Sequence, residues 1–503
     1  MFNQKTEGIN KTINYEGEVA YKESPEMELY SLVCTSIMQD KFYEKSTDRI
    51  NRLRDLIKKV DDEYIIKLAI YAREKMYLRA IPLVLMVELL KKGSQNKLIT
   101  SGVERVIQRA DELTEILSYY ELANNRTGTK KLNKLSKRLQ RGIAKAFNKF
   151  NEYNFSKYNR EKSIKLRDAL FLTHPKAKDD EQQKLFDKIA KDELTVPYTW
   201  EVELSGAKLK GKTKKQVWEE LIDSNKLGYM ALLRNLRNIL DEDVSVEHIK
   251  KIAIKLSDEK EVLNSKQLPF RFLSAYKEAQ KNDNPFTSTI LNALEDAIKI
   301  SFSNIKGFDY NTLLLIASDV SGSMNSSISE KSSVMFYDIG LLLSMGLQSK
   351  CKSCITGIFG DRFKIKQFPQ QSILQNISEL YHTSCNEVGC STNGYLVLKH
   401  LIDNKILVDK IMVFTDCQLW DSNQYGDNGG STTFSALWGE YLKINPNSKL
   451  YMFDLQGYGN TPVDIKNNNV FLIAGWNEKV FEMLDALENK SSIIAEIKKI
   501  EVK

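Results

Sequence analysis

Two different patterns of apolar residues divide this chain. From Ser24 to about Ile300, apolar residues recur at i, i+3, i+4 and i+7, which is the spacing of amphipathic helices. Short polar or glycine-containing breaks separate these helices, and helix pairs stacked in sequence form an α-solenoid. The first predicted helices are Met27–Met38, Ser46–Lys59, Asp62–Lys75 and Ile81–Lys92.

After Thr312 the chain changes to short apolar runs that alternate with helical segments, a pattern that predicts a doubly wound α/β sheet. The predicted strands are Leu313–Ala317, Cys354–Phe359, Phe363–Phe368, Lys410–Asp416, Lys449–Leu455 and Val470–Ala474. The predicted helices are Ser333–Leu347, Tyr395–Ile402, Phe434–Ile444 and Glu478–Leu487. We therefore expect an extended segment at 1–24, an all-α domain at 25–304 and an α/β domain at 305–503.

The composition is that of a soluble globular protein, with 42% hydrophobic and 28% charged residues among 503. No apolar run approaches the ~20 residues that span a bilayer. The stretch Met1–Glu18 contains no apolar signal core, and six cysteines in so long a chain do not form a disulfide scaffold. These features predict a cytoplasmic protein, and we expect a monomer with no membrane partner.

The formal net charge of +7 is unevenly distributed. Between Arg126 and Lys178, 16 lysines and arginines stand against three acidic residues, a net charge of +13, so the rest of the chain has a net charge of −6. A basic block within a mildly acidic protein is typical of a polyanion-binding surface. The alternative is a basic face that is only solvated.

Within this block, Leu132–Phe150 is predicted to be an amphipathic helix whose apolar stripe continues the flanking helical pattern. Such a helix could also lie on a membrane or fit a calmodulin-like groove, but the continuity favours a core position. Aromatic residues lie among the cations, and most are expected to belong to the core: Phe147, Phe150, Tyr153, Phe155 and Tyr158.

The strand Leu313–Ala317 runs into a loop of oxygen-bearing side chains. Asp319, Ser321 and Ser323 have alternate spacing, and on a turning backbone they can converge on one small cation. Carboxylate, hydroxyl and water ligands suit Mg²⁺ best, and Mn²⁺ as the alternative, rather than Zn²⁺. The sequence therefore predicts part of a divalent-cation site in this loop.

Two later positions can complete the coordination. Thr392 lies near the start of a predicted helix, and Asp416 ends the second apolar strand. Asp319 and Asp416 would both lie at the carboxyl ends of parallel strands, where α/β folds place their sites. The set resembles the metal-ion-dependent adhesion site of von Willebrand factor A domains. The resemblance implies that both serines and Thr392 contact the metal, with the aspartates binding directly or through water.

A second resemblance covers about residues 25 to 490. An all-helical basic module followed by such an A domain is similar to the TROVE family, the Ro ribonucleoproteins. Matching stretches include Gly142–Phe147, Arg167–Pro175, Lys215–Trp218, Met230–Leu236 and Gln267–Arg271. The resemblance implies a ring of HEAT-like repeats closed by the A domain. It also implies binding of small structured Y-like RNAs on a basic outer surface, and of single-stranded 3′ ends of misfolded RNA in the central hole.

The candidate RNA-binding residues come from two sources. Lys157 and His174 match family residues implicated in RNA contact, while Arg160 lies one position away from the family's arginine. The others follow from charge and helical placement: Arg138, Arg141, Lys145, Lys165 and Arg167. The basic loop Lys208–Lys215 is either a further RNA contact or a solvated connection.

Other classes of function have weaker support. Cys351, Cys354, Cys385 and Cys390 could offer four thiolates to Zn²⁺, but their spacing is irregular. Two aspartates and a cation could activate water, yet no base or nucleophile pair accompanies them, so we do not expect an enzyme. We expect a scaffold or chaperone for small noncoding RNA, to which an exoribonuclease or a carboxylate-donating protein could bind. The alternative is an adaptor that acts through the A domain, with RNA binding incidental.

Overall fold

The computed structural model describes most of the chain and leaves out a few stretches. The described residues are 11–35, 43–125, 135–159, 162–303, 305, 307–308, 310–330, 332–368, 371–422, 433–465, 469–476, 478–482, 484, 487 and 492–503. Within the helix at 373–388, side chains 378, 379 and 381–385 also lie outside the description. None of the helices found in these ranges is long and apolar enough to cross a membrane.

The first part of the chain is helical, as the apolar periodicity predicts. Two short strands precede it, β1 (Lys11–Ile13) and β2 (Val19–Lys22). The helices that follow are α1 (Pro25–Cys34), α2 (Ser46–Lys59), α3 (Asp62–Glu74), α4 (Ala80–Lys91), α5 (Ile99–Val106), α6 (Glu112–Ala123), α7 (Lys137–Phe147), α8 (Glu152–Tyr158), α9 (Leu166–Thr173), α10 (Asp180–Lys191), α11 (Trp200–Gly206), α12 (Lys214–Asp223), α13 (Tyr229–Asp241), α14 (Val246–Leu256), α15 (Glu259–Ser265), α16 (Pro269–Ala279) and α17 (Thr287–Ser301).

The second part alternates strands and helices. In chain order they are β3 (Leu314–Asp319), α18 (Phe336–Gln348), β4 (Cys354–Phe359), β5 (Phe363–Ile365), α19 (Ile373–Val388), α20 (Tyr395–Asp403), β6 (Lys410–Thr415), α21 (Phe434–Ile444), β7 (Lys449–Asp454), β8 (Asn460–Thr461), β9 (Val470–Ala474) and α22 (Ile493–Lys498). Single 3₁₀ turns lie at Ser323–Asn325 and Glu478–Phe481.

By its contacts the chain forms two compact units. One contains Met1–Ile50 and Lys214–Ile493, so that α12 to α17 belong with the sheet, and the other contains Asn51–Thr213 and Ile494–Lys503. The predicted class, an all-α region followed by an α/β domain, is confirmed.

The main sheet has six strands in the order β5-β4-β3-β6-β7-β9, all parallel except the β4–β5 pair. Every residue of β3 and β6 is buried, which explains the apolar runs Leu314–Ala317 and Ile411–Phe414 within them. On one face, α20 and α21 cover the sheet, with Leu398 and Trp438 in the core. Because β3, β6 and β7 are parallel neighbours, their carboxyl ends meet at one edge.

The N-terminal strands form a small second sheet within the same unit. β1 pairs with β2, and β2 pairs with β8, both antiparallel. Within the predicted extended segment 1–24, residues 11–13 and 19–22 are strands, and residues 1–10 lie outside the description. The pairing with Asn460–Thr461 was not predicted.

Several predicted boundaries are corrected. The basic helix was predicted to continue to Phe150, but α7 ends at Phe147, and Asn151 caps the separate helix α8 by accepting from the Asn154 N–H at 3.0 Å. β5 ends at Ile365 rather than Phe368. The first residues of the predicted helix Leu132–Phe150 lie outside the described ranges.

Close packing of α5 and α7 fixes the basic helix α7 in place. A Cβ atom added to Gly142 would lie 2.6 Å from Val103 Cβ and 2.8 Å from the Thr100 carbonyl oxygen. Gly142→Ala is therefore expected to lower the free energy of unfolding by about 1–3 kcal/mol, because the helices must separate. Chemical denaturation measures this loss.

Gly439 is the matched control, because it lies inside helix α21 with no neighbouring atoms within 4 Å of an added Cβ. Gly439→Ala should stabilise the protein by about 0.5–1 kcal/mol through helix propensity. Equal stabilisation by both substitutions would contradict the close α5–α7 contact.

Candidate functional site: a cation site and a basic helical surface

Three buried carboxylates meet at the carboxyl edge of the main sheet. Asp319 ends β3, Asp416 follows β6, and Asp454 ends β7, and each is at most 1% exposed. Of the three, the sequence predicted Asp319 and Asp416 as ligands. The sequence analysis did not identify Asp454 as a member of this group. Its position at the end of an apolar strand was the signal that could have indicated it.

The loop after Asp319 turns its oxygen atoms toward one another. The Ser321 N–H donates to Asp319 Oδ1 at 2.9 Å, and the hydroxyls of Ser321 and Ser323 lie 3.3 Å apart. Asp319 Oδ2 accepts from the Thr415 hydroxyl at 2.6 Å. This bond ties the ends of β3 and β6 together.

The loop that carries Thr392 lies against both of these segments. The Gly322 N–H donates to the Cys390 carbonyl oxygen at 2.8 Å, and the Trp420 N–H donates to the Thr392 carbonyl oxygen at 3.1 Å. Thr392 itself is 3% exposed. The structure therefore brings the segments that contain all five predicted metal ligands to one edge of the sheet.

The electrostatics of this edge favour a bound cation. Burial raises the pKa of Asp319, while burial and the nearby Asp319 charge raise the pKa of Asp416, so both carboxylates are unfavourable in the charged form without a countercharge. The chemistry of this group fits a small divalent ion, because such an ion would supply the countercharge and binds carboxylate and hydroxyl oxygens. Asp319, Ser321, Ser323, Thr392 and Asp416 are the residues that would hold it.

A glutamine extends this site in a way that the sequence did not indicate. Gln456 Nε2 donates to the Ser323 carbonyl oxygen at 3.3 Å and to Asp416 Oδ2 at 3.5 Å. Its Oε1 accepts from the Tyr458 hydroxyl at 2.8 Å. Gln456 thus links the loops that follow β3, β6 and β7, and no motif signals such a contact.

The cysteines give no support to a zinc site. Burial raises the pKa of Cys351 to about 11 and also raises the pKa of Cys354, so both disfavour the thiolate form that binds Zn²⁺. No group of three His, Cys, Asp or Glu side chains suited to a metal occurs within the described ranges, which exclude the Cys385 side chain.

The basic surface lies in the other unit, on helices α7 and α9, which pack together. Gln140 Nε2 of α7 donates to the Leu172 carbonyl oxygen of α9 at 2.9 Å. On α7, Arg141 and Lys145 are exposed four residues apart, opposite the buried stripe. Lys145 is 3.7 Å from Glu104, and Arg141 has no ion pair among the residues described.

Helix α9 presents a mixed stripe of cationic and aromatic side chains. Arg167, Phe171 and His174 follow at i, i+4 and i+7 and are exposed, and the Arg167 guanidinium lies 5.6 Å from the centre of the Phe171 ring. His174 adopts a left-handed conformation (φ 48°) as it ends the helix. We call Arg141, Lys145, Arg167, Phe171 and His174 the α7–α9 surface.

The other predicted RNA-binding residues have different surroundings. Arg138 donates to Gln95 Oε1 at 2.6 Å, Lys157 lies 5.8 Å from the Tyr153 ring centre, and the exposed Lys165 begins α9. Arg160 lies outside the described residues. Lys149, counted in the basic block, caps α5 by donating to the Ile107 carbonyl oxygen at 3.1 Å and is therefore partly structural.

The aromatic residues divide as predicted for the most part. Phe147, Phe150 and Phe155 are buried, whereas Tyr153 is 46% exposed. Phe171, 50% exposed, was not among the aromatic candidates. Its place between Arg167 and His174 at helical spacing was the signal that could have found it.

A second cationic groove, in the unit that contains the sheet, was also missed. It has a volume of about 420 Å³ and is lined by Arg234, Arg271, Phe270 and Ser329, among others. Burial, together with the Arg234 charge, lowers the pKa of the Arg271 guanidinium. Neither of these arginines has a carboxylate partner in the described part of the chain. Glu278 also lines the groove but is paired with Arg237 at 3.0 Å, so the surplus of arginine suits an anion.

Comparison with protein families gives two matches. A model described as the TROVE domain matches residues 27–194 and 192–302. A model described as the Ro60 vWA domain matches residues 313–487. The first covers more than half of the chain and contains the α7–α9 surface, and the second contains the candidate cation site. Neither description is that of an enzyme.

Individual proteins are similar over very different lengths. Telomerase protein component 1 of Mus musculus is 49% identical over 88 residues, which are 18% of this chain and 3% of that protein. The Rattus norvegicus protein of that name is 49% identical over 83 residues, 16% of this chain and again 3% of the relative. The crystal structure of the Deinococcus radiodurans RO (RSR) protein covers 92% of this chain and 99% of its own, with a TM-score of 0.58 and 16% identity. That likeness supports the fold.

Proposed function

This chain belongs to the TROVE family, and we propose that it is an RNA-binding protein of the Ro type that acts as a chaperone or quality-control scaffold for small noncoding RNA. The α7–α9 surface carries the proposal. It places Arg141, Arg167 and His174 on two helices in contact, with no acidic partner for any of the three in the described ranges. Unpaired surface arginines of this kind bind phosphates without sequence preference, and the imidazole can donate a hydrogen bond to a phosphate oxygen.

Phe171 adds a second kind of contact to this surface. An exposed ring next to an arginine can stack on an unpaired base, a contact worth about 1–3 kcal/mol per base. Duplex RNA does not offer its bases in this way, so the surface should distinguish loops and single-stranded ends from a continuous helix. This favours a structured RNA of the Y type.

The groove lined by Arg234 and Arg271 supports the second part of the proposal, binding of single-stranded 3′ ends. Two arginines without carboxylate partners in the described residues offer a phosphate site, and the buried Phe270 ring supports the Arg271 guanidinium at 4.9 Å. We propose that a single-stranded segment binds here while the folded part of the RNA binds the α7–α9 surface.

In this proposal the cation site binds Mg²⁺, or Mn²⁺, and serves protein contacts rather than catalysis. An exoribonuclease or another protein with an exposed carboxylate is the class of partner that such a site would accept. We place this activity in the cytoplasm. The rival function, an adaptor that acts through the cation site alone, is favoured by the buried ligand set but leaves the α7–α9 surface without a role.

The test compares one structured RNA hairpin that carries a single-stranded 3′ tail with the same hairpin without a tail. At 0.15 M salt the tailed RNA is expected to bind at least about tenfold more tightly, from the stacking of one or more bases. Fluorescence anisotropy measures both affinities. Equal affinities would exclude recognition of the tail, and weak binding of both RNAs would favour the adaptor.

A further inference from the structure

The turn between β1 and β2 is fastened to the loops of the cation site. Asn14 Nδ2 donates to the Leu419 carbonyl oxygen at 2.7 Å, and the Tyr15 N–H donates to Gln418 Oε1 at 3.0 Å. The Gln418 N–H in turn donates to Asp416 Oδ1 at 3.0 Å. Gln418 therefore links the N-terminal turn to Asp416, a predicted metal ligand.

The turn has a defined shape that presents Glu16. Asn14 Oδ1 accepts from the backbone N–H groups of Glu16, at 3.0 Å, and Glu18, at 2.9 Å. Gly17 has a φ of 87°, which a residue with a side chain rarely adopts. Glu16 therefore lies at the tip of a turn that hydrogen bonds to the Asn14 side chain hold in place.

Three tyrosine rings join this turn to the metal-binding loops. Tyr15 stacks on Tyr43 with ring centres 5.2 Å apart, and Tyr458 meets both rings edge-on at 5.3 and 5.5 Å. The Tyr458 hydroxyl donates to Gln456, which donates to Asp416. The three rings thus form an aromatic cluster next to the cation site.

The Tyr43 hydroxyl connects Glu16 to the site directly. It donates a short hydrogen bond to Glu16 Oε1. It also contacts the Ser323 side chain. The Glu16 carboxylate is therefore separated from a predicted metal ligand by one hydroxyl group.

This arrangement leaves the Glu16 charge without a countercharge. Glu16 has no lysine or arginine partner among the described residues, and the Tyr43 hydroxyl is its contact toward the loop that carries Ser323. A further carboxylate in such a place is unfavourable unless a cation offsets its charge. The turn, however, is built to keep it there.

We propose that Glu16 is an intramolecular carboxylate ligand of the cation site, acting on the bound ion directly or through one water. The inference rests on the proposed Mg²⁺ or Mn²⁺ site and adds one residue to it from a distant part of the sequence. A carboxylate from another protein must then displace the β1–β2 turn before it can bind the ion.

The experiment measures Mn²⁺ binding by isothermal titration calorimetry and by electron paramagnetic resonance on the full chain. Glu16→Gln should weaken Mn²⁺ binding by about 10- to 100-fold, since it removes a charged group next to the ligands. Acetate, a free carboxylate, should restore affinity to this variant and leave the wild type unchanged. Tyr43→Phe, which keeps the stacked ring, should have a smaller effect.

Tyr21→Phe is the matched control for Tyr43→Phe. Tyr21 lies in the same β1–β2 hairpin as Glu16, and its hydroxyl is 3.2 Å from the Ser435 hydroxyl of α21 but contacts none of the predicted ligands. It should bind Mn²⁺ as the wild type does. Unchanged affinity in Glu16→Gln, with tight wild-type binding, would overturn the role of Glu16 and leave the cation site intact. No Mn²⁺ binding by the wild type would overturn the cation site, and the role of Glu16 with it.

Discussion

Replacing Arg141, Lys145 and Arg167 together by alanine is expected to weaken binding of a tailed RNA hairpin by about 100-fold at 0.15 M salt. The estimate follows from three lost phosphate contacts, each of which releases close to one counterion. All three side chains are exposed on α7 and α9, so their removal should leave the fold unchanged. Fluorescence anisotropy with the same RNA gives the ratio of affinities.

The matched control removes the same number of charges elsewhere. Lys226, Lys250 and Lys260 are exposed lysines of the other unit, outside the α7–α9 surface. Their triple alanine variant has the same net charge as the triple alanine variant of the α7–α9 surface. Its affinity should stay within about threefold of the wild-type value, because only the long-range attraction of the RNA is reduced. Similar losses in both variants would mean that net charge, and not this surface, determines the affinity.

Asp416→Asn is expected to impair metal binding at the cation site and to leave RNA binding at the α7–α9 surface unchanged. The substitution removes a charged ligand and should weaken Mg²⁺ or Mn²⁺ binding by about 100-fold or more, because affinity for these ions depends on the number of charged oxygens. Without metal, however, the variant should melt at a higher temperature than the wild type. The buried Asp416 and Asp319 repel each other, and burial disfavours both charges.

Asparagine can keep the local bonds, since its Oδ1 can still accept from the Gln418 N–H. Thermal melts with and without Mn²⁺ measure both effects, and RNA affinity should stay at the wild-type value. Asp403→Asn is the control, because Asp403 is a surface carboxylate of α20 paired with Lys399 at 3.2 Å. A lower melting temperature for metal-free Asp416→Asn, or a loss of RNA binding with the fold intact, would contradict this division of roles.

Much of the cation site could be predicted because its signals are local. Asp319, Ser321 and Ser323 lie within five residues at the end of β3, and Asp416 follows the largely apolar strand β6, so strand-end placement alone brings their segments together. The fold class could be predicted for the same reason. Buried parallel strands are continuous apolar runs, and the predicted strand Val470–Ala474 and helix Phe434–Ile444 agree with the structure residue for residue.

The N-terminal turn could not be predicted in this way. β1 has three residues and β8 has two, too few for an alternating pattern, and β2 pairs with a strand more than 400 residues later in the sequence. Glu16 and Tyr43 reach the cation site through that pairing, through ring contacts and through the hydrogen bonds of Asn14 and Tyr15 to the loop after β6. Long-range contacts of this kind leave no periodicity in either segment.

Charge counting located the basic surface but overstated it. The block of +13 treats every cation alike, whereas Lys149 caps α5 and Lys145 lies near Glu104. Charge alone also missed the groove at Arg234 and Arg271, since α13 and α16 are not unusually basic and the two arginines come together only on folding. The density of positive charge on the folded surface, and not its density along the sequence, determines where a polyanion binds.

The most direct test of RNA binding at the α7–α9 surface is the salt dependence of affinity for the tailed hairpin, measured for the wild type and for the Arg141, Lys145 and Arg167 triple alanine variant. The slope of log affinity against log salt concentration should become shallower by about 2 to 3 in the variant, which corresponds to three lost phosphate contacts. The same slope in both proteins would contradict the account, because it would place the phosphates elsewhere on the molecule.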